Sequence, residues 1–277
     1  VKFMNAPVGA GSSFFERLIF LKSYDFLFYL TDGSIFFSTA KNNILHIQSP
    51  LKNTNNDLWG NYKLSSWRLI MYNSKFTKEE TENSWKVRGK VIYPPVSIDK
   101  MNYPAAELRG IKHKFLSQES VTVQQAARYY VTIKPLKKEK IILSVGRFSG
   151  ISQDGNTIYA GKNHIVLIDA FRKLTGEDSL GEFSLHIAGA ATKGDTKYLD
   201  ELYKRAKALK VYLHPNIPFN ELRKLYGRAL IYWHAAGYGE KDPTKMEHFG
   251  ISTVEAMAAG CIPIVINLGG QKEIIEN

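Results

Sequence analysis

Glu247-His248-Phe249-Gly250-Ile251-Ser252-Thr253-Val254-Glu255, continuing through Ala256-Met257-Ala258-Ala259-Gly260 into Cys261-Ile262-Pro263-Ile264-Val265-Ile266, is the stretch on which the reading of this chain turns. Ser252 and Glu255 have capping-box spacing, a hydroxyl residue followed three positions later by a carboxylate, so a helix is expected to begin just after Ser252. Gly260 is its expected left-handed stop. Residues 261–266 read as a buried strand, with Pro263 near its start because proline cannot donate to the ladder. A helix entrance beside Gly250 offers unpaired N–H groups and a partial positive charge to a phosphate. Glu247 precedes that entrance and Glu255 lies one turn inside. Singly, Glu255 closes a capping box and Glu247 is a solvated loop carboxylate. Together, around a glycine-broken helix entrance, they suit a charged, hydroxyl-rich ligand.

Working outward, Ile141-Ile142-Leu143-Ser144-Val145-Gly146-Arg147-Phe148 is a buried strand ending in Gly-Arg, and Lys162-Asn163-His164 opens an amphipathic helix through Leu167, Ala170 and Phe171. Residues 183–189 form a strand with a glycine exit at Gly189, followed by a charged helix over 198–209. Residues 211–214 form a short strand, a helix starts at Pro218, and residues 229–234 return to the sheet. Such alternation implies a parallel sheet covered by helices on both faces, and ligands of such sheets sit outside the carboxyl ends of the strands. Arg147, Gly189, His234 and Glu247 all lie at or after those ends. Arg147 and Lys162 together could neutralise a diphosphate, the arginine through its planar fork and the lysine as a point charge.

The string 247–255 resembles the Glu-x7-Glu signature of the retaining family 4 glycosyltransferases, GT-B enzymes that use nucleotide-sugar donors, and the remaining segments occur in that family's order. The resemblance implies an α/β chain of GT-B architecture, two Rossmann-like domains with parallel sheets facing a central cleft. It assigns donor binding to Arg147, Lys162, Gly189, Ile217, His234, Glu247, Phe249, Gly250, Ile251 and Glu255, and catalysis to Glu247, His46, Arg147 and Lys162. Asn216-Ile217-Pro218 is similar to the turn that holds the nucleotide base by main-chain contacts, and Gly269-Gly270-Gln271-Lys272-Glu273 to the loop after the final strand, whose glycines allow close ligand approach. His234 is read either as part of a loop near the donor phosphates or as a packed histidine with one satisfied nitrogen. Where the family often spaces its arginine and lysine by about half a dozen residues, here residues 150–161 intervene, a polar loop rich in Gly, Asn and Asp.

In the first half, Tyr24-Asp25-Phe26-Leu27-Phe28-Tyr29-Leu30, Asn43-Ile44-Leu45-His46-Ile47 and Trp67-Arg68-Leu69-Ile70-Met71-Tyr72 are apolar strand runs. His46-Ile47-Gln48-Ser49-Pro50 resembles the acceptor-domain loop whose histidine faces the scissile sugar bond, set against a core role for the same residue. Asn73-Ser74-Lys75-Phe76-Thr77 and Val91-Ile92-Tyr93-Pro94-Pro95-Val96 resemble the segment that closes this domain. Gly9-Ala10-Gly11 lacks a convincing preceding strand and reads as punctuation. The resemblance therefore implies family segments missing at both ends. The expected organisation is an incomplete acceptor domain plus linker over 1–138 and a donor domain over 139–277, the linker running from Pro104 to Lys140.

Composition agrees with two globular domains: 277 residues, 44% apolar, can bury two cores. One cysteine, Cys261, provides neither a disulfide framework nor a metal cluster and fits a reducing compartment. The net charge of +11 admits nucleic acid, an anionic membrane surface or a phosphorylated small molecule as partner. The basic residues are dispersed with no nucleic-acid motif, which disfavours nucleic acid.

The expected activity is transfer of a hexosyl group, with retention and without metal or other cofactor, from a nucleotide-sugar to a glycan or lipid-linked acceptor. The expected location is the cytoplasm or the cytosolic face of a membrane. The alternative is a GT-B-like sugar-nucleotide binding subunit without transferase activity.

Overall fold

The computed structural model describes residues 13–31, 33–51, 58–98, 138–149, 161–176 and 181–275. The expected glycine turn at 9–11, most of the linker over 104–140 and nearly all of the polar loop over 150–161 lie outside the described residues. The chain divides into two compact units, Val1–Pro94 with Asp242–Thr244, and Pro95–Lys241 with Lys245–Asn277.

The first unit is built on a parallel sheet in the order β1-β2-β3-β4, with β1 at Phe26–Thr31, β2 at Asn42–Ile47, β3 at Leu69–Tyr72 and β4 at Lys90–Val91. Helix α1 (Phe14–Lys22) precedes β1, α2 (Leu58–Ser65) links β2 to β3, and α3 (Lys75–Ser84) links β3 to β4. Parallel neighbours require such crossovers. Leu45, Ile47, Ile70 and Tyr72 bury with Leu21, Leu64, Trp67 and Trp85. Asn43 ties the starts of β2 and β3 together: its Oδ1 accepts from the Arg68 amide at 2.7 Å and its Nδ2 donates to the Ser66 carbonyl at 2.9 Å. Helix α3 starts after Ser74, the N-cap, whose side chain accepts from the Thr77 amide at 3.0 Å.

The second unit carries a five-stranded parallel sheet in the order β7-β6-β5-β8-β9, with β5 at Glu139–Val145, β6 at Ser184–Gly189, β7 at Val211–Pro215, β8 at Ala229–His234 and β9 at Ile262–Val265. The connecting helices are α4 (His164–Gly176), α5 (Thr196–Ala206), α6 (Phe219–Arg228) and α7 (Ile251–Ala258), and the short α8 (Gln271–Ile274) follows β9. The central strand β5 buries Ile141, Ile142 and Leu143 because both sheet faces are covered. On one face Leu167, Ile168 and Phe171 of α4 and Leu202 of α5 pack with Ile142, Leu185 and Ile187. On the other, Leu225 and Tyr226 of α6 and Ala256 of α7 pack with Ile141, Leu143 and Tyr232. The chain winds outward from β5 to β7, then returns to the other side of β5 as β8. That reversal is a topological switch point, where the connections leave β5 and β8 in opposite directions and open a crevice at their carboxyl ends.

The α7 entrance departs from the capping-box expectation. The helix starts at Ile251 with Gly250 as N-cap at φ 108°, a left-handed conformation that costs glycine little. Ser252 and Glu255 do not cap it. The Ser252 hydroxyl lies 2.7 Å from the Tyr232 hydroxyl, which donates to it, and Glu255 Oε2 accepts from Tyr226 at 3.0 Å. Gly260 ends the segment at φ 78°, as expected.

Candidate functional site

The connections leaving β5 and β8 bring three separated residues of the second unit together. Lys162, just before α4, donates to Glu247 Oε2 at 2.6 Å. His234, the last residue of β8, has Nε2 3.1 Å from the same oxygen. Among the described residues both contacts fall on Oε2, which leaves the acceptor capacity of Oε1 for a hydroxyl donor. Burial alone would raise the Glu247 carboxyl; the hydrogen bond from His234 and the charge of Lys162 outweigh it and hold the group well below its ordinary value, ionised at neutral pH.

Lys162 is placed by its own neighbours. A Cβ on Gly146 would stand 2.8 Å from Lys162 Cγ, so the glycine at the end of β5 makes room for the lysine stem. Asn163 adopts φ 54° and donates from Nδ2 to the Ala235 carbonyl at 2.7 Å, tying the α4 entrance to the β8 exit. His164 behind it is fully buried, and burial pushes its imidazole down to about 3, so it is neutral. Arg147 lies exposed at the β5 exit.

The glycines after β9 serve the site differently from expectation. A Cβ at Gly269 or Gly270 would collide with the carbonyl of Glu247 or of His248. The Gly270 amide also donates to the Glu247 carbonyl at 2.8 Å. What approaches closely is the chain's own backbone, and the pair holds the Glu247 loop in place. Gly189 is likewise required because a Cβ there would strike the Gly146 carbonyl, where β5 and β6 converge.

Both nitrogens of His234 are engaged, which goes beyond a packed histidine with one satisfied nitrogen: Nδ1 faces Gln271 Nε2 at 3.4 Å. Gln271 is 1% exposed and its Nε2 also reaches Thr253 Oγ1 at 3.0 Å. Its place directly after Gly269-Gly270 was visible in the sequence, but its partners were not.

The other predicted residues occupy two kinds of position. Gly250 and the exposed Ile251 stand at the α7 entrance. Phe249 commits its side chain to a small core with Val254 and Ile274. Glu255 lies on α7 against Tyr226; burial raises its carboxyl, and the tyrosine hydrogen bond opposes that only in part. Two carboxylates eight positions apart are thus shifted in opposite directions. Ile217 packs partly buried beside the α6 core, in a turn fixed by Asn216, whose side chain pairs with the Ala191 amide and carbonyl at 2.9 and 3.0 Å. In the first unit, His46 sits inside β2 instead of in the loop after it, 7% exposed and stacked on Phe28. Desolvation lowers its pKa against a backbone hydrogen bond at Ile92, so its imidazole is neutral at pH 7.

A family model described as "Glycosyl transferases group 1" matches residues 132–277. A GDP-Man:Man(3)GlcNAc(2)-PP-Dol alpha-1,2-mannosyltransferase of Xenopus tropicalis is 28% identical over 211 residues, covering 74% of this chain and 34% of the relative. Its Homo sapiens counterpart is 27% identical over 215 residues, covering 74% and 35%. The chain spans about a third of the length of the curated relatives it matches. Among solved structures, WaaG, a glycosyltransferase involved in lipopolysaccharide biosynthesis, superposes with a TM-score of 0.53 at 13% identity, covering 98% of this chain and 70% of that one. Such neighbours share the parallel α/β fold of GT-B enzymes.

Proposed function

The chain belongs to the glycosyl transferases group 1 family, and from that premise we propose that it transfers a hexosyl group from a nucleotide-sugar donor to a glycan or lipid-linked acceptor with retention of configuration. The observation that carries this reading is the Lys162–Glu247–His234 cluster outside the carboxyl ends of β5 and β8. An ionised carboxylate held by a cation, with one oxygen still open, suits sugar hydroxyls and an oxocarbenium-like centre next to a diphosphate. The curated relatives are named for GDP-mannose and a dolichol-diphosphate-linked acceptor, which makes GDP-mannose the first donor to test.

In this reading Arg147 and Lys162, with the α7 entrance at Gly250 and Ile251, stabilise the charge that gathers on the departing diphosphate, and no metal is required. The bond from sugar C1 to the diphosphate oxygen breaks while the acceptor oxygen bonds to C1 on the same face. The acceptor proton passes to the departing phosphate oxygen. Glu247 Oε1 accepts from donor-sugar hydroxyls, Glu255 takes the ribose, Gly189 and Ile217 border the nucleoside, and His46 serves the acceptor side. Transfer of radiolabelled mannose from GDP-mannose to a dolichol-diphosphate-linked glycan, present for the protein and absent for Glu247→Ala, tests it. Equal transfer by both would refute the site.

We also assign the enzyme to the cytosolic face of a membrane, bound peripherally. The exposed rings of Phe14 on α1 and of Trp59 and Tyr62 on α2, with the half-buried Phe37 beside them, form a ladder that supports peripheral binding: Phe14–Trp59, Trp59–Tyr62 and Tyr62–Phe37 have centroids 6.4, 5.4 and 4.9 Å apart. Phe15, Ile19 and Leu58 are exposed around it, apolar side chains of the kind that interfacial segments bury at a membrane surface. Among the described residues no helix is long and apolar enough to cross a membrane. Failure to float with anionic vesicles at modest salt would remove this assignment.

A further inference from the structure

Gln271 does not touch the open oxygen of Glu247, yet it is 1% exposed and its amide spans His234 and Thr253. We propose that Gln271 is a positioning residue: its amide N–H points at His234 Nδ1 and fixes the imidazole as the neutral Nε2–H tautomer, the form that donates to Glu247. This rests on the donor-site reading given above and extends it to a residue outside the Glu-x7-Glu pattern.

Glu247 is ionised and can only accept, so His234 Nε2 must carry a proton to bond it at 3.1 Å. A neutral imidazole then has a lone pair on Nδ1 and needs a donor there, and Gln271 Nε2 is the group at 3.4 Å. The other amide hydrogen is used on Thr253 Oγ1 at 3.0 Å. Gln271 Oε1 is left buried without a hydrogen-bond partner among the described residues. Turning the amide over would strand two N–H groups in place of one oxygen and offer an acceptor to Nδ1, which only an imidazolium could satisfy while still donating to Glu247. The orientation of one amide thereby selects between neutral and charged His234. The groups that face the ring from the elements around it are Glu247 beyond β8, Lys162 and His164 at the α4 entrance, and Tyr232 of β8, whose ring stacks on it at 6.2 Å. Gly250 cannot be larger because a Cβ there would stand 2.8 Å from Gln271 Nε2, so the α7 entrance and the amide are fitted to each other.

Nitrogen NMR of histidine-labelled protein, with the His234 signals assigned by their loss in His234→Gln, tests the proposal without reference to turnover. The wild type should show the Nε2–H tautomer at pH 7. Gln271→Glu, which offers Nδ1 a carboxylate, should convert His234 to imidazolium, and Gln271→Met, which keeps the bulk, should give a tautomer mixture. In transfer assays, Gln271→Met should lose about tenfold in kcat with the donor KM within about twofold. Gln271→Glu should move the pH profile of kcat to higher pH. Nδ1–H in the wild type, or a ring state unchanged in both variants, would overturn the proposal. Ring states that change as described in a protein that transfers no sugar would support the positioning role and refute the donor-site reading instead.

Discussion

Lys162 Nζ stands 2.6 Å from Glu247 Oε2 although 85 positions separate the two residues. The contact is partly buried, with side chains 28% and 16% exposed, and it joins the entrance of α4 to the loop before α7. A pair in such a setting does two jobs. It keeps the carboxylate ionised against desolvation, and in the proposed donor site it would hold a cation beside the diphosphate.

Replacing Lys162 with methionine should therefore cost more than an exposed ion pair would. Loss of the partner leaves a poorly solvated carboxylate, and the expected destabilisation is roughly 1–3 kcal/mol, between the surface and fully buried limits. Urea unfolding of Lys162→Met, compared with the double variant Lys162→Met/Glu247→Gln, measures it. The double variant should recover part of the loss because no charge is left unpaired.

Lys138 offers a second stability test away from the candidate site. Its ammonium donates to the carbonyls of Tyr226, Gly227 and Ala259 at 3.3, 2.9 and 2.6 Å, closing the carboxyl ends of both α6 and α7. Charge-assisted bonds to carbonyls at helix ends are worth about 1.5–3 kcal/mol each in favourable cases. Lys138→Met should lower stability by about 2–3 kcal/mol in urea while nucleotide affinity is unchanged.

Acid should weaken the second unit through a half-buried histidine pair before it reaches the carboxylates. His186 Nδ1 and His214 Nε2 are 3.0 Å apart across β6 and β7. Desolvation, aided by the charge of His214, lowers His186 from 6.5 to about 4, and desolvation lowers His214 as well. With the folded value below the unfolded one, the unfolded chain takes up protons first. Stability should then fall as pH drops from about 6.5 towards 4 and level off below the folded value. Glu247, also depressed, contributes stability that is present above its unfolded value and is lost only at lower pH. Chemical denaturation as a function of pH should show a shallower slope over the upper window in His186→Gln.

Gly250 combines a positive φ of 108° with contact to Gln271 and Ile274. Gly250→Ala should destabilise by about 1–3 kcal/mol and broaden the His234 signals in NMR spectra, because the added methyl displaces the amide that faces the ring.

Much of this was legible locally. Glu247, Gly250 and Glu255 stand out through the Glu-x7-Glu resemblance, and the alternation of 141–146, 183–189, 211–214 and 229–234 with helical segments reads as a parallel sheet, two-sided burial making the central β5 a continuous apolar run. The capping-box reading of Ser252 and Glu255 went wrong for a tertiary reason: Tyr232 of β8 and Tyr226 of α6, packed beneath α7, offer those side chains hydroxyl donors. Gln271, Lys138 and the His186–His214 pair escaped because their partners lie 18 to 121 positions away, and no local pattern encodes such meetings. For Gly269-Gly270 the need for close approach was readable, but not that the approaching group is the Glu247 main chain.

The most direct test of the central claim is the shift in melting midpoint produced by GDP-mannose and by GDP in the wild type, Arg147→Ala and Lys162→Met. Ligand at a hundredfold excess over Kd stabilises a one-site protein by about 2.7 kcal/mol. A clear rise is expected for the wild type and is lost in both variants. An equal rise in all three proteins would place the nucleotide elsewhere and contradict the proposed donor site.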